Sequence, residues 1–157
     1  MPQVFVRVAR RALPWLAGWL GFQLVLGLLG RLVARRLDEG DEDATAIRRV
    51  LTLGGLELRP TNAGLSRIEV DLGMAGGEID LTAIPETAGI DLTVRAVMGG
   101  LAVRVPPDWR VWTSFRGVGG IGTDGGLTRT HDQHAADLRV HVFAVMGGIG
   151  VEAGSRT

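Results

Sequence analysis

The chain has 157 residues, enough for one domain with an appendage, and its 17 basic residues balance 17 acidic ones. That balance leaves no net field to draw in nucleic acid or acidic substrates, so nucleic acid is not an expected partner. Cysteine is absent, which removes disulfides and thiolate chemistry, and 24 glycines are too many for a helical protein.

Residues 1–37 differ in kind from the rest. From Leu13 to Gly30 the only polar side chain is Gln23, and none is charged. A helix needs about 20 apolar residues to cross a bilayer, so this run predicts one transmembrane helix, with residues 12–34 meeting membrane lipid. Trp15 and Trp19 sit toward one end, as interfacial aromatics do. A buried or interfacial helix is the alternative, but Gly18, Gly21, Gly27 and Gly30 weaken helicity in water. The other alternative is a cleaved signal peptide. Val33-Ala34-Arg35-Arg36 offers it no small-residue cleavage site, which favours an anchor. Arg7, Arg10 and Arg11 precede the run, and Arg31, Arg35, Arg36, Arg48 and Arg49 lie at or beyond its end. Basic residues favour the cytoplasmic side, so the expectation is a single-pass protein of the cell membrane with a cytoplasmic C-terminal domain. Residues 38–46 follow as a linker. Their acidic run, Asp38-Glu39-Gly40-Asp41-Glu42-Asp43, reads as a solvated spacer and lacks the alternating ligand spacing of a calcium loop.

Residues 47–154 carry a repeat. An apolar residue stands before a small-residue pair at Leu53-Gly54-Gly55, Met74-Ala75-Gly76, Met98-Gly99-Gly100, Val118-Gly119-Gly120 and Met146-Gly147-Gly148. It returns after 21, 24, 20 and 28 residues, the spacing of a stacked repeat. Before the pair, apolar residues alternate: Leu92, Val94 and Ala96, or Val140, Val142 and Ala144. After it, the alternation resumes out of phase, at Leu101, Val103 and Val105, or Ile149 and Val151. Strict alternation marks a strand with one buried face, and a phase change across glycines marks a corner.

The fold expected is therefore all-β: a β-solenoid of about five short coils, each cornered by its glycine pair, after the N-terminal helix. The structural corners are Gly54, Gly55, Gly76, Gly99, Gly100, Gly119, Gly120, Gly147 and Gly148. Ala75 implies that the second glycine of each pair is the stricter. Stacking in chain order predicts two inward columns, one of Leu53, Met74, Met98, Val118 and Met146, the other of Ile47, Ile68, Leu92, Trp112 and Val140. It also places Arg49, Ser114 and Arg116 in inward slots. An antiparallel sandwich with glycine-rich hairpins is the competing fold.

No catalytic constellation emerges, and no catalytic, cofactor or metal residue is assigned; the chain is expected not to be an enzyme. Gly119 to Gly126 resembles a phosphate loop but lacks the closing Lys-Ser/Thr, so it reads as a turn. His131 and His134 flank Asp132 and could hold a metal if a third ligand converged; an exposed polar loop from Gly125 to Asp137 is the simpler reading. Glu78 and Asp80 share one outward strand face. In Val105-Pro106-Pro107-Asp108-Trp109-Arg110-Val111, two prolines end a strand and a turn follows. Trp109 is expected over the core edge, with Trp109 and Trp112 the aromatic contact available to a partner.

The strings Ala96-Val97-Met98-Gly99-Gly100-Leu101-Ala102-Val103-Arg104-Val105-Pro106-Pro107-Asp108-Trp109-Arg110-Val111 and Ala144-Val145-Met146-Gly147-Gly148-Ile149-Gly150-Val151 resemble the C-terminal domain of LiaF-type cell-wall-active-antibiotic response proteins. The resemblance covers about residues 47–152. It implies N-terminal membrane helices and a role in envelope-stress signalling, with a sensor kinase or another membrane protein as partner. Met or Leu stands where that family has Phe before the glycines, and one candidate span stands where the best-known regulators have several. The expected function is a non-enzymatic, membrane-anchored interaction domain. The alternative is a structural module, a homo-oligomer built by end-to-end stacking of solenoids.

Overall fold

The computed structural model describes residues 38–124 and 126–155; the expected transmembrane helix at 12–34 lies outside the described residues. Among the described residues, no helix is long and apolar enough to cross a membrane. Six strands form one sheet: β1 (Ala46–Leu58), β2 (Arg67–Asp80), β3 (Ile90–Val105), β4 (Arg110–Thr123), β5 (Thr128–Arg129) and β6 (Leu138–Ala153). Every ladder between them is parallel, which excludes the hairpin sandwich and is consistent with the expected solenoid.

Parallel neighbours normally need a long crossover. Here four of the five long strands, β1, β3, β4 and β6, carry a positive-φ glycine at the small-residue pair, a place where such a strand can turn. Short returns complete the circuit, and their Leu65, Leu81 and Ile84 are buried with the strand residues in one core. The valine- and isoleucine-rich alternation suits this half-buried pleat. Ile47, Ile68, Leu92 and Val140 are in register and almost wholly buried, as the second predicted column requires.

Four expectations need correction. First, the rungs do not stack in chain order. The sheet runs β1-β2-β3-β6-β4-β5, so the last long strand is inserted between the third and the fourth. β6 matches β3 residue for residue from Ile90↔Leu138 to Val105↔Ala153. β4 pairs with β6 only through a register shift at Gly117/Gly119. The strand that matches fully takes the interior, and the irregular one takes the edge.

Second, the residue before each glycine pair faces out, not in. Leu53, Met74, Met98, Val118 and Met146 are 46–66% exposed. The phase change lies one step earlier than expected. In β3, Val97 and Met98 both point outward, and in β6 so do Val145 and Met146, after which Leu101 and Ile149 resume the inward set.

Third, β4 has a single residue at this corner. Val118 alone stands opposite Val145 and Met146. Its alternation therefore runs unbroken through Val111, Thr113, Phe115, Ile121 and Thr123. Counting back from Val118 as if two residues were present puts the strand one residue out of step. Trp112, Ser114 and Arg116 thus leave the inward slots, and Thr113 rather than Trp112 is the partner of Val140.

Fourth, the first glycine of each pair is the stricter. Gly99 and Gly147 have φ of +156°, and a Cβ on them would meet the carbonyl oxygens of Ala75 and Gly99 at 1.9 and 2.1 Å. Gly55 and Gly120, second in their pairs, open onto free space. Ala75 is tolerated because β2 makes its corner without a positive φ at that residue.

Candidate docking ridge

The corner residues form one surface. In-register pairing sets Leu53 beside Met74, Met74 beside Met98, and Met98 beside Met146, with Val118 of β4 completing the row. Val97 and Val145 widen it, at 57% and 66% exposed. Five strands at about 4.8 Å spacing make a ridge about 20 Å long. Single exposed apolar residues need no explanation, but a contiguous row of them makes a candidate contact surface. Phe143 extends the row along β6 between Arg95 and Arg116, in register with both. The Arg116 guanidinium lies 6.0 Å from the Phe143 ring centre, within cation–π range.

Both flanks of the ridge are charge-paired. On the arm before the corner, Asp71 accepts from Arg48 and from Arg95, each at 3.1 Å, and Arg95 also reaches Glu69 at 3.5 Å. Further along the same arm Asp91 accepts from Arg139, with one contact at 3.0 Å. Those hydrogen bonds outweigh partial burial and hold the Asp91 carboxyl below its usual range. On the arm after the corner Arg104 joins Glu78 at 2.6 Å to Glu152 at 3.0 Å. Asp80 accepts from the Thr82 hydroxyl at 2.6 Å and the Thr82 amide at 3.0 Å. Burial pushes the Asp80 carboxyl up, but these bonds, with Arg59 and Arg104 nearby, bring it below the usual range. Glu78 and Asp80 thus share the outward face as expected, tied to Arg104 and Thr82.

The other sequence candidates fall away from the ridge. Trp109 is 3% exposed, packed into the core, with its amide closing a turn on the Pro106 carbonyl at 3.1 Å. A buried ring offers a partner no surface. Trp112 is half-buried and tilts against His141, ring centres 5.1 Å apart. His131 and His134 are exposed on the return between β5 and β6, where the His134 amide donates to Asp132. Among the described residues no three His, Cys, Asp or Glu side chains converge on a metal position. Gly119 to Thr123 belong to the second arm of β4 rather than to a phosphate loop.

The acidic run does more than separate. Glu39 makes a two-way backbone bridge with Arg48, and Asp38 accepts from the Val50 amide at 2.8 Å, so this segment lies along the free edge of β1. On the far side of the sheet, Asp137 accepts from the Arg110 amide at 2.8 Å and its guanidinium at 3.1 Å. Burial raises the Asp137 carboxyl, yet the Arg110 bonds outweigh it and leave it lowered.

Sequence reasoning assigned the five lead residues of the ridge, though not Val97, Val145 or Phe143, to the core. In two of the five strands a partial signal was present: Val97-Met98 and Val145-Met146 are adjacent apolar pairs inside alternating strands, so alternation alone does not decide which member faces out, and the structure exposes both. No protein-family model matches the chain, and neither a curated protein nor a solved structure is significantly similar to it.

Proposed function

We propose that this chain is a non-catalytic docking module: a β-solenoid tethered to the cell membrane by residues 12–34, whose corner ridge binds a membrane-associated protein in envelope-stress signalling. The observation that carries this reading is the unbroken apolar row across five strands between two charge-paired flanks. Methionine and branched aliphatic side chains suit such a role. The thioether adapts to an irregular partner, and burying apolar area stabilises a complex by about 25 cal/mol per Å² before the costs of association. The paired flanks keep the surface soluble and leave the ridge as the place where desolvation is favourable. The resemblance to LiaF-type proteins supplies the signalling context and a sensor kinase as the leading class of partner.

The test is photo-crosslinking in native membranes with a reactive side chain at Met98 or Met146 of the full chain, and at Glu152 as the flank control. Both ridge positions are expected to capture the same discrete protein, lost in a Met98→Glu/Met146→Glu variant, with nothing specific at Glu152. Capture at Glu152 alone, or none at either ridge position, overturns the docking role. End-to-end assembly is the second reading, and the uneven protection of the two sheet edges bears on it.

A further inference from the structure

The two edges of the sheet are not alike. β1 carries Arg48, Arg49 and Glu57 and is closed in part by residues 38 and 39. At the other edge β5 covers only Arg110 and Val111. From Trp112 to Thr123 the outer side of β4 meets no strand among the described residues, and Arg116 is the one charged residue in that stretch. Proteins usually protect such an edge with charges or proline. Phe115 and Ile121 lie at this end of the core, packed against it and only partly covered.

The direction of the backbone groups follows from the bonds already made. Asp137 donates to the Arg110 carbonyl, and Asp124 donates to Val151, so the even-numbered residues face β6. The Val111 carbonyl instead accepts from Thr130 on the outer side. By alternation Thr113, Phe115, Gly117, Gly119, Ile121 and Thr123 turn their N–H and C=O groups outward.

The geometry points to a two-fold dimer in which β4 pairs antiparallel with β4 of a second copy, the axis passing through Val118. That axis sets Thr113 opposite Thr123, Phe115 opposite Ile121 and Gly117 opposite Gly119. Every outward-turned backbone group then meets another, and the two partly covered core side chains cover each other. The match requires the unbroken alternation that sets β4 apart. Arg116 falls opposite Gly120, so no like charges meet. Arg110 and Val111, which β5 occupies, fall beyond the paired stretch, past the strand end at Thr123 of the other copy. Both corners coincide, so the ridge continues from one copy to the next. A head-to-tail stack would instead have to displace residues 38 and 39 from β1. The two-fold contact is closed and self-complementary. It is independent of what the ridge binds.

Val118 lies on the axis as a non-hydrogen-bonded pair, with Cα atoms about 4.5 Å apart, within the range a disulfide spans. The natural chain has no cysteine, so Val118→Cys introduces a single thiol. Under mild oxidation of the full chain in detergent, V118C is expected to give a covalent dimer, with Leu53→Cys and Met74→Cys forming no crosslink. Sedimentation of the natural chain is expected to give twice the chain mass. A monomeric natural chain overturns the proposal, as does a dimer whose V118C thiol stays reduced, which places the contact elsewhere. Mixed V118C–L53C crosslinks would mean head-to-tail stacking, and equal crosslinking at M74C would mean contact through the ridge; either outcome overturns it.

Discussion

The first three strands and the long strands β4 and β6 are made from the same rung but held together differently. β1, β2 and β3 pair in chain order, so each rung is laid on the one before it. β4 is not laid on β3. It stands one strand away, and β6, which follows it in the chain, fills the gap. The difference comes from one residue at one corner. β1, β2, β3 and β6 keep a common register through the apolar lead residue, whereas β4 lacks one of the two outward residues that β6 carries there. A repeat protein is usually described by nearest-neighbour terms along the chain. In this one the β3–β6 contact breaks that order, and the stability of β4 depends on a strand that begins 15 residues after it ends.

The largest test of that contrast is removal of residues 138–157. β4 loses its only long ladder and β3 exposes a core edge, so cooperative unfolding should disappear. Hydrogen exchange should show unprotected amides along β4, with residual protection confined to β1–β3. If β4 remained protected, its dependence on β6 would be wrong.

The glycine corners come next. Gly147→Ala, in the strand shared by both halves, places a Cβ against the Gly99 carbonyl at a positive φ and should cost at least about 3 kcal/mol in denaturant unfolding. Gly55→Ala, with open space around it, should stay within about 0.5 kcal/mol. Equal effects would remove the distinction between the first and second glycine.

Equivalent inward positions should also differ between the halves. Leu92→Ala in β3 is expected to cost about 2–5 kcal/mol. Thr113→Ala, at the corresponding slot of the edge strand, should cost less than about 1 kcal/mol by the same measurement, because little apolar volume is removed.

The smallest effect is on acid stability. Asp91 joins β3 to β6, and Asp137 anchors the start of β4; both carboxyls sit below the ordinary value of 3.8. A lowered carboxylate contributes stability that is present above its unfolded pKa and lost as pH falls through the folded one. Stability should therefore drop below about pH 4, and Asp137→Asn or Asp91→Asn should flatten part of that slope. Both carboxylates are partly solvated and the effects are modest. A variant whose acid limb matches the natural chain would show that its pair is not linked to folding.

Much of the fold could be read from alternation. Ile68, Val70 and Leu72, then Ile79 and Leu81, are buried where period-two counting places them. Stack order could not be read that way, because every rung has nearly the same inward pattern and so fits beside any other. What separates β6 from β4 as the neighbour of β3 is the number of residues at the corner, and taking the glycine pair as origin hides that number. The same choice of origin put Met98 and Met146 inside. Only β3 and β6 marked the exposed ridge in the sequence, as doubled apolar residues, and the lead residues of all five strands were attributed to the core. The edge role of Asp38 and Glu39 had no signal, since an acidic run looks the same whether it is free or bridged to a strand.

The insertion of β6 also sets an order in time. A chain made from its N-terminus at about 5–20 residues per second completes β4 about 2–6 s before it completes β6. During that interval β4 has no long ladder and the outer side of β3 is open. Another extended segment of suitable pattern, including β6 of a neighbouring nascent chain, can pair with that open edge of β3. The last 20 residues therefore act as the closing step of assembly, and crowding of nascent chains is the condition under which exchange between copies competes with it.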